Sequence, residues 1–214
     1  MIFIYDNLTA TIIAMSVFLL LVTIQFRTTQ TNIAQTSRNI VKEQAQGFAT
    51  WLEDDLEKMG QNIGPGSAPP YNVAFDDPTD SSGVTVDFTF YQDSIVSTSS
   101  TMRVATQYRV KKTGTRVVEA DTVDLYQLTR YRQEGASASW VEDGRSIDAL
   151  GYFDVDMLNR DAQPIINPRS AAQTDQDTVR STRVRFSVVA PFQNEKTSLR
   201  VVHFGSVLLL RNEN

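Results

Sequence analysis

The chain has no cysteine. It therefore carries no disulfide, no thiolate metal site and no cysteine nucleophile, and a head of roughly 150 residues must stand on its core alone. Histidine is almost missing as well. His203 is the only one, in the apolar stretch Val201-Val202-His203-Phe204. Without a second histidine, a transition-metal site would need carboxylates alone, a donor set that suits few such metals, so His203 reads as a sheet residue. Basic excess is absent too. A net charge of −5 and a pI near 4.9 leave no stripe for neutralising phosphates, which argues against nucleic acid as a partner. No Walker or dinucleotide glycine pattern occurs. Ser94–Ser100 has neither a G-x-S-x-G frame nor a base to pair with it. A non-enzymatic role is the expectation.

What the chain does have is one long apolar run at its N-terminal end. Leu8–Phe26, LTATIIAMSVFLLLVTIQF, holds no charge, proline or glycine. As a helix it is just under ~30 Å long, about the thickness of a bilayer's hydrocarbon core. A secretory signal would show a positive leader, a shorter apolar core and a small-residue cleavage site. Here the first charge is Asp6 and Arg27 closes the run without such a site, so the segment is expected to stay in the working protein.

The helical signal continues past the run. Ile33, Val41, Ala45, Phe48, Leu52, Leu56, Met59 and Ile63 recur at intervals of 8, 4, 3, 4, 4, 3 and 4, one face of a 3.6-residue helix. Lys42, Glu43, Glu53, Asp54, Glu57 and Lys58 occupy the other face, with Asp54–Lys58 in the favourable i,i+4 order. The spacing predicts one helix over about 3–63, stopped by Gly64-Pro65-Gly66. A turn-rich loop to Gly83 follows. Period-two alternation then predicts strands at Val84–Phe90, Met102–Lys111, Thr115–Glu119, Asp124–Arg132, Gly151–Leu158, Arg180–Pro191 and Ser198–Arg211, with Lys112-Thr113-Gly114 as a turn and Asp161–Asp177 as a surface loop. The fold class is α+β: a long N-terminal helix, apolar in its first half and amphipathic in its second, packed on an antiparallel sheet. The divisions read 1–27 hydrophobic helix, 28–63 amphipathic continuation and 64–214 β-rich head. There is no internal repeat. Arg outnumbers Lys by about three to one, which favours geometrically defined surface ion pairs.

In this order the chain resembles the type IV pilin-like proteins, nearest the larger W-type minor pilins and J-type minor pseudopilins. The segments that carry the likeness are Phe48-Ala49-Thr50-Trp51-Leu52-Glu53-Asp54-Asp55-Leu56-Glu57-Lys58-Met59-Gly60, Thr106-Gln107-Tyr108-Arg109-Val110, Asp124-Leu125-Tyr126-Gln127-Leu128-Thr129-Arg130, Arg183–Val189 and Val207–Asn212. Pilins usually carry a Glu at the fifth mature position and a basic leader ending in Gly. Here Tyr5 stands at position 5, with Asp6 beside it and no leader. Either the sequence is already mature from a processed Met1, or this family works without that step.

The resemblance implies a structural subunit of a pilus-like filament at the cell surface, stored in the cytoplasmic membrane, handled by pilus assembly machinery and packed against copies of itself; a shaft rather than a tip subunit is expected. It gives Asp6, the only acid before Glu43, the pairing with a neighbour's Met1 amine. A bare carboxylate in hydrocarbon is costly and so functional by default; the alternative is an interfacial helix N-terminal acid. Small residues Thr9, Ala10, Thr11, Ala14 and Ser16 permit close helix approach, and Phe48, Leu52, Leu56 and Met59 pack the helix under the sheet. No cofactor is expected. Calcium, which some pseudopilin heads bind, would have only Asp76-Asp77-Pro78-Thr79-Asp80 or Asp154-Val155-Asp156 with Asp161, and neither matches a spaced calcium loop. The competing class is a single-pass anchored extracytoplasmic domain that binds a ligand or partner.

Overall fold

The computed structural model describes residues 2–64, 70–75, 84–97, 100–118, 121–146, 149–165, 179–189 and 202–209. Helix α1 runs Ile2–Leu56, followed by strands β1 (Tyr71–Phe75), β2 (Thr85–Ser97), β3 (Ser100–Val118), β4 (Asp121–Glu134), β5 (Val141–Arg145), β6 (Leu150–Leu158), β7 (Ser181–Val188) and β8 (Val202–Leu209). The strands form one antiparallel sheet in the order β1-β2-β3-β4-β6-β7-β8, with β5 also paired to β4. The class is α+β, as the order of elements requires. Residues 1–40 and 41–214 form separate compact units.

Within the second unit the helical periodicity becomes packing. Val41, Ala45, Phe48, Leu52, Leu56 and Met59 are all buried and share one core with Phe88, Phe90, Tyr108, Leu128, Phe153, Val155, Phe186 and Val188. Phe48 meets the sheet edge-on, its ring centre 4.8 Å from that of Phe186 and 6.4 Å from that of Phe153. Phe48, Leu52 and Leu56 enter this core from the helix and Met59 from the turn that follows it. The helix stops at Leu56, earlier than the expected residue 63. Three-residue turns take over, with Lys58 N–H on Asp55 O and Met59 N–H on Leu56 O, and Gly60 (φ 76°) and Asn62 (φ 59°) turn left-handed. Gly60 N–H then donates to Tyr91 O and Asp93 N–H to Gln61 O, which ties the helix exit to β2. Asp54 and Lys58 are exposed and form no ion pair among the described residues.

Three strand readings change, one of them β5 (Val141–Arg145), which none of the expected strands covers. Tyr71–Phe75, expected as loop, is β1 on the edge of β2, because Tyr71 and Val73 are buried in the core. Lys112-Thr113-Gly114 is no turn: β3 continues through a bulge there to Val118, which absorbs the glycine. β6 touches β4 only at Tyr126–Leu150 and then leaves it. Its Val155 N–H donates to Thr85 Oγ1 at 2.9 Å, so the sheet curls until β6 reaches the start of β2. The departure needs glycine. A Cβ on Gly151 would lie 2.9 Å from Val189 Cγ2 and 3.1 Å from Ser187 Oγ. The parts of the 64–83 and 161–177 stretches at 65–69, 76–83 and 166–178 lie outside the described residues.

Leu52→Ala and Leu56→Ala are expected to destabilise the head by ~2–5 kcal/mol each, the cost of a cavity at a buried leucine. Urea titration of the purified chain checks this; a loss below about 0.5 kcal/mol at either position would show that side chain to be peripheral to the core.

Candidate functional site

Every residue from Asn7 to Thr29 is exposed. Among them are Ile12, Ile13, Phe18, Leu19, Leu20, Leu21 and Phe26, far more contiguous apolar surface than a monomeric soluble protein leaves in water. Covering it is worth on the order of tens of kcal/mol, at ~1.5–3 kcal/mol per large side chain. By length and composition it is one helix able to cross a membrane. The hydroxyls in this stretch ask nothing of solvent. Thr9 Oγ1 donates to Tyr5 O, Thr11 to Asn7 O at 2.8 Å, Ser16 to Ile12 O at 2.9 Å and Thr23 to Leu19 O at 2.8 Å. Each returns its proton to the preceding turn, so the surface can be dried without stranding a hydroxyl.

The expected assembly residues do not form one stripe. On a 100° wheel Ala10 and Ala14 share a face, and Thr9 and Ser16 share another about 100–160° away. All four are exposed. Asp6 lies within α1, but its side chain, like Met1, lies outside the described residues.

Three of the segments that carry the pilin likeness meet at a single carboxylate. Asp55 is buried at 4 % exposure, on the core side of α1 beside Leu52 and Leu56. Tyr108 on β3 donates its hydroxyl to Oδ2, and Arg130 on β4 donates Nη2 to Oδ1 at 2.8 Å. Arg130 also reaches Asp143 on β5 at 3.4 Å and lies 5.8 Å over the Trp51 ring. Burial, and then the Asp55 charge, push the Tyr108 hydroxyl well above the usual tyrosine range, so it stays a donor. Sequence reading named all three residues without joining them. The available signal was the helical phase of Asp55, an acid on the apolar face.

A second charged group crosses β6 and β7. Arg183 Nη2 sits 2.6 Å from Asp156 Oδ2, and Arg185 Nη2 sits 2.6 Å from Asp154 Oδ2 and 3.2 Å from Asp156 Oδ2. Among the described residues Asp154 Oδ1 is buried with no hydrogen-bond partner. Burial, then the neighbouring Asp156, raise the Asp154 pKa against the pull of Arg185. The Asp154-Val155-Asp156 pair considered for calcium thus faces two guanidiniums, and Asp161 lies exposed in a turn where its N–H donates to Asn159 Oδ1. Among the described residues no group of three or more histidine or carboxylate side chains converges on a metal-sized position. Asp76–Asp80 and the His203 side chain lie outside them.

These two groups should respond differently to substitution. Asp55→Ala leaves a largely buried Arg130 with only its 3.4 Å contact to Asp143 and takes the acceptor from the buried Tyr108 hydroxyl, and is expected to cost ~3–5 kcal/mol. Asp154→Asn leaves Arg185 half in water and on Asp156, so its cost at neutral pH should stay below ~1 kcal/mol. The pH trend follows from the raised Asp154 pKa: the fold favours the neutral carboxyl, so its contribution is greatest in acid and declines as pH rises through the folded value. The stability of Asp154→Asn relative to wild type should therefore improve from about pH 4 to 7, read as urea midpoints; a shift in the other direction removes the assigned cause. Compared with known proteins, the chain matches no family model, no curated protein and no solved structure.

Proposed function

We propose that the chain is a structural subunit of a type IV pilus-like extracellular filament, assembled through its N-terminal helices after storage in the cytoplasmic membrane. The observation that carries this reading is the apolar surface of Leu8–Phe26, exposed on every side with its hydroxyls already satisfied. A bilayer and a bundle of identical helices are the two environments that such a surface tolerates, and a pilin passes from one to the other. Support also comes from the head. Asp55, Tyr108 and Arg130 come from three of the segments on which the resemblance rests, and they hold one another, so those residues answer to a single packing need. Asp6 takes the role of pairing with the neighbour's N-terminal amine, and pilus machinery is the implied partner in the membrane.

The anchored-domain reading accounts for the apolar length equally well but needs no packing between helices. Electron microscopy of surface-shear fractions, with mass spectrometry of the protein's N-terminus, separates the two. Thin filaments built of this chain are the expected result, and protein confined to membranes would favour the anchor. Asp6→Ala should abolish filaments while leaving a folded, membrane-inserted chain; filaments of normal yield and length would remove the role given to Asp6.

A further inference from the structure

Four arginines of the sheet are matched with carboxylates across neighbouring strands: Arg103 with Asp93, Arg109 with Asp87, Arg183 with Asp156 and Arg185 with Asp154. Arg27 and Arg38 on α1 are different. Both are exposed, and among the described residues neither takes part in an ion pair. No acid stands one turn away to serve them. The residues three and four positions from Arg27 are Thr23, Ile24, Gln30 and Thr31; those around Arg38 are Ala34, Gln35, Val41 and Lys42. Eleven residues separate the two arginines. That interval is three helical turns plus about 20°, so both project from one face, ~16 Å apart.

The same interval recurs with opposite charge. Glu43 and Asp54 are also eleven residues apart, and both are exposed on the side of α1 away from Val41, Ala45, Phe48 and Leu52. Neither forms an ion pair among the described residues.

We propose that Arg27 and Arg38 of one copy pair with Glu43 and Asp54 of the next, and so set the offset between neighbouring helices. This rests on the filament reading and deepens it. Laying two α1 helices parallel with an offset of sixteen residues brings Arg27 to Glu43 and Arg38 to Asp54, and no other offset places both arginines against acids of α1. The same alignment sets Lys42 against Lys58, two long flexible side chains whose repulsion water and salt screen. Apolar packing of Leu8–Phe26 is tolerant of sliding, because greasy surfaces match in many registers; two charge pairs at a fixed interval are not. Each copy gives its arginines to one neighbour and its acids to another. A contact of that kind is heterologous and propagates into a line of subunits rather than closing a dimer.

The full-length chain in its own membrane provides the test, and the absence of native cysteine makes cross-linking specific. Arg38→Cys with Asp54→Cys, and separately Arg27→Cys with Glu43→Cys, should give ladders of oligomers with a short bismaleimide, whereas Arg27→Cys with Asp54→Cys should not. Arg38→Glu should lower the yield of sheared filaments about tenfold, and Arg38→Glu with Asp54→Arg should restore it, as charge exchange across an interface does. Normal filaments from Arg38→Glu, together with no ladder from either cysteine pair, overturn the offset while leaving the filament intact. Retention of filaments together with loss of flotation on phosphatidylglycerol vesicles would instead assign the arginines to anionic lipid. No filaments from the wild-type chain, together with no ladder from either cysteine pair, removes both readings together.

Discussion

The buried carboxylate of Asp55 is the constraint on which the head depends. A charge at that depth is tolerable only with charged or hydrogen-bonding partners at close range, and it finds a tyrosine hydroxyl from β3 and a guanidinium from β4. That requirement fixes the rotation of the helix end about its own axis, since turning Asp55 away would also withdraw Leu52 and Leu56 from the core. It fixes the lengthwise position too, because Tyr108 and Arg130 face each other in the β3–β4 register. Apolar packing alone would accept several nearby arrangements. The ion pair accepts one. Trp51 and Asp143 complete the collar around Arg130.

The sheet solves its own register problem by the same means. Asp87 stands opposite Arg109, Asp93 opposite Arg103, Asp154 opposite Arg185 and Asp156 opposite Arg183, and each pair is in contact. Individually, the more exposed pairs at Asp87 and Asp93 contribute little. Together they oppose a one-residue slip, which would part every pair and turn Phe88, Tyr108, Phe153 and Phe186 away from the helix. The arginine-rich composition thus serves alignment of strands. Where pairing lapses, after β6 leaves β4, a threonine hydroxyl supplies the missing acceptor for Val155, as the cost of an orphaned buried N–H demands.

α1 carries two separate tasks in one unbroken hydrogen-bonded element. Its last turns are a core helix with a polar back. From Asn7 to Thr29 it buries nothing, and the threonine and serine hydroxyls there fold back onto the preceding carbonyls. The absence of proline and glycine before Gly47 keeps that stretch continuous, since either would expose backbone groups.

Much of this was legible in the chain itself, because it is local. The 3.6-residue spacing of Val41 to Met59 foretold which face of the helix is buried, period two foretold most strands, and the charge-free run from Leu8 foretold a surface in need of cover. Such features depend on near neighbours along the chain, and a sequence states those directly. What lay beyond reach is what joins distant residues. The strand at Tyr71–Phe75 hides among turn formers and exists because β2 offers it an edge and the core takes Tyr71 and Val73. The bulge at Lys112–Gly114 mimics a turn until β4 is alongside. Asp154 and Asp156 invite a cation until Arg183 and Arg185, far along the chain, arrive to neutralise them. Asp55 looked like one more acid in a charged stretch, and only folding, by placing it between Tyr108 and Arg130 in a medium of low polarity, made it the residue that orients the helix.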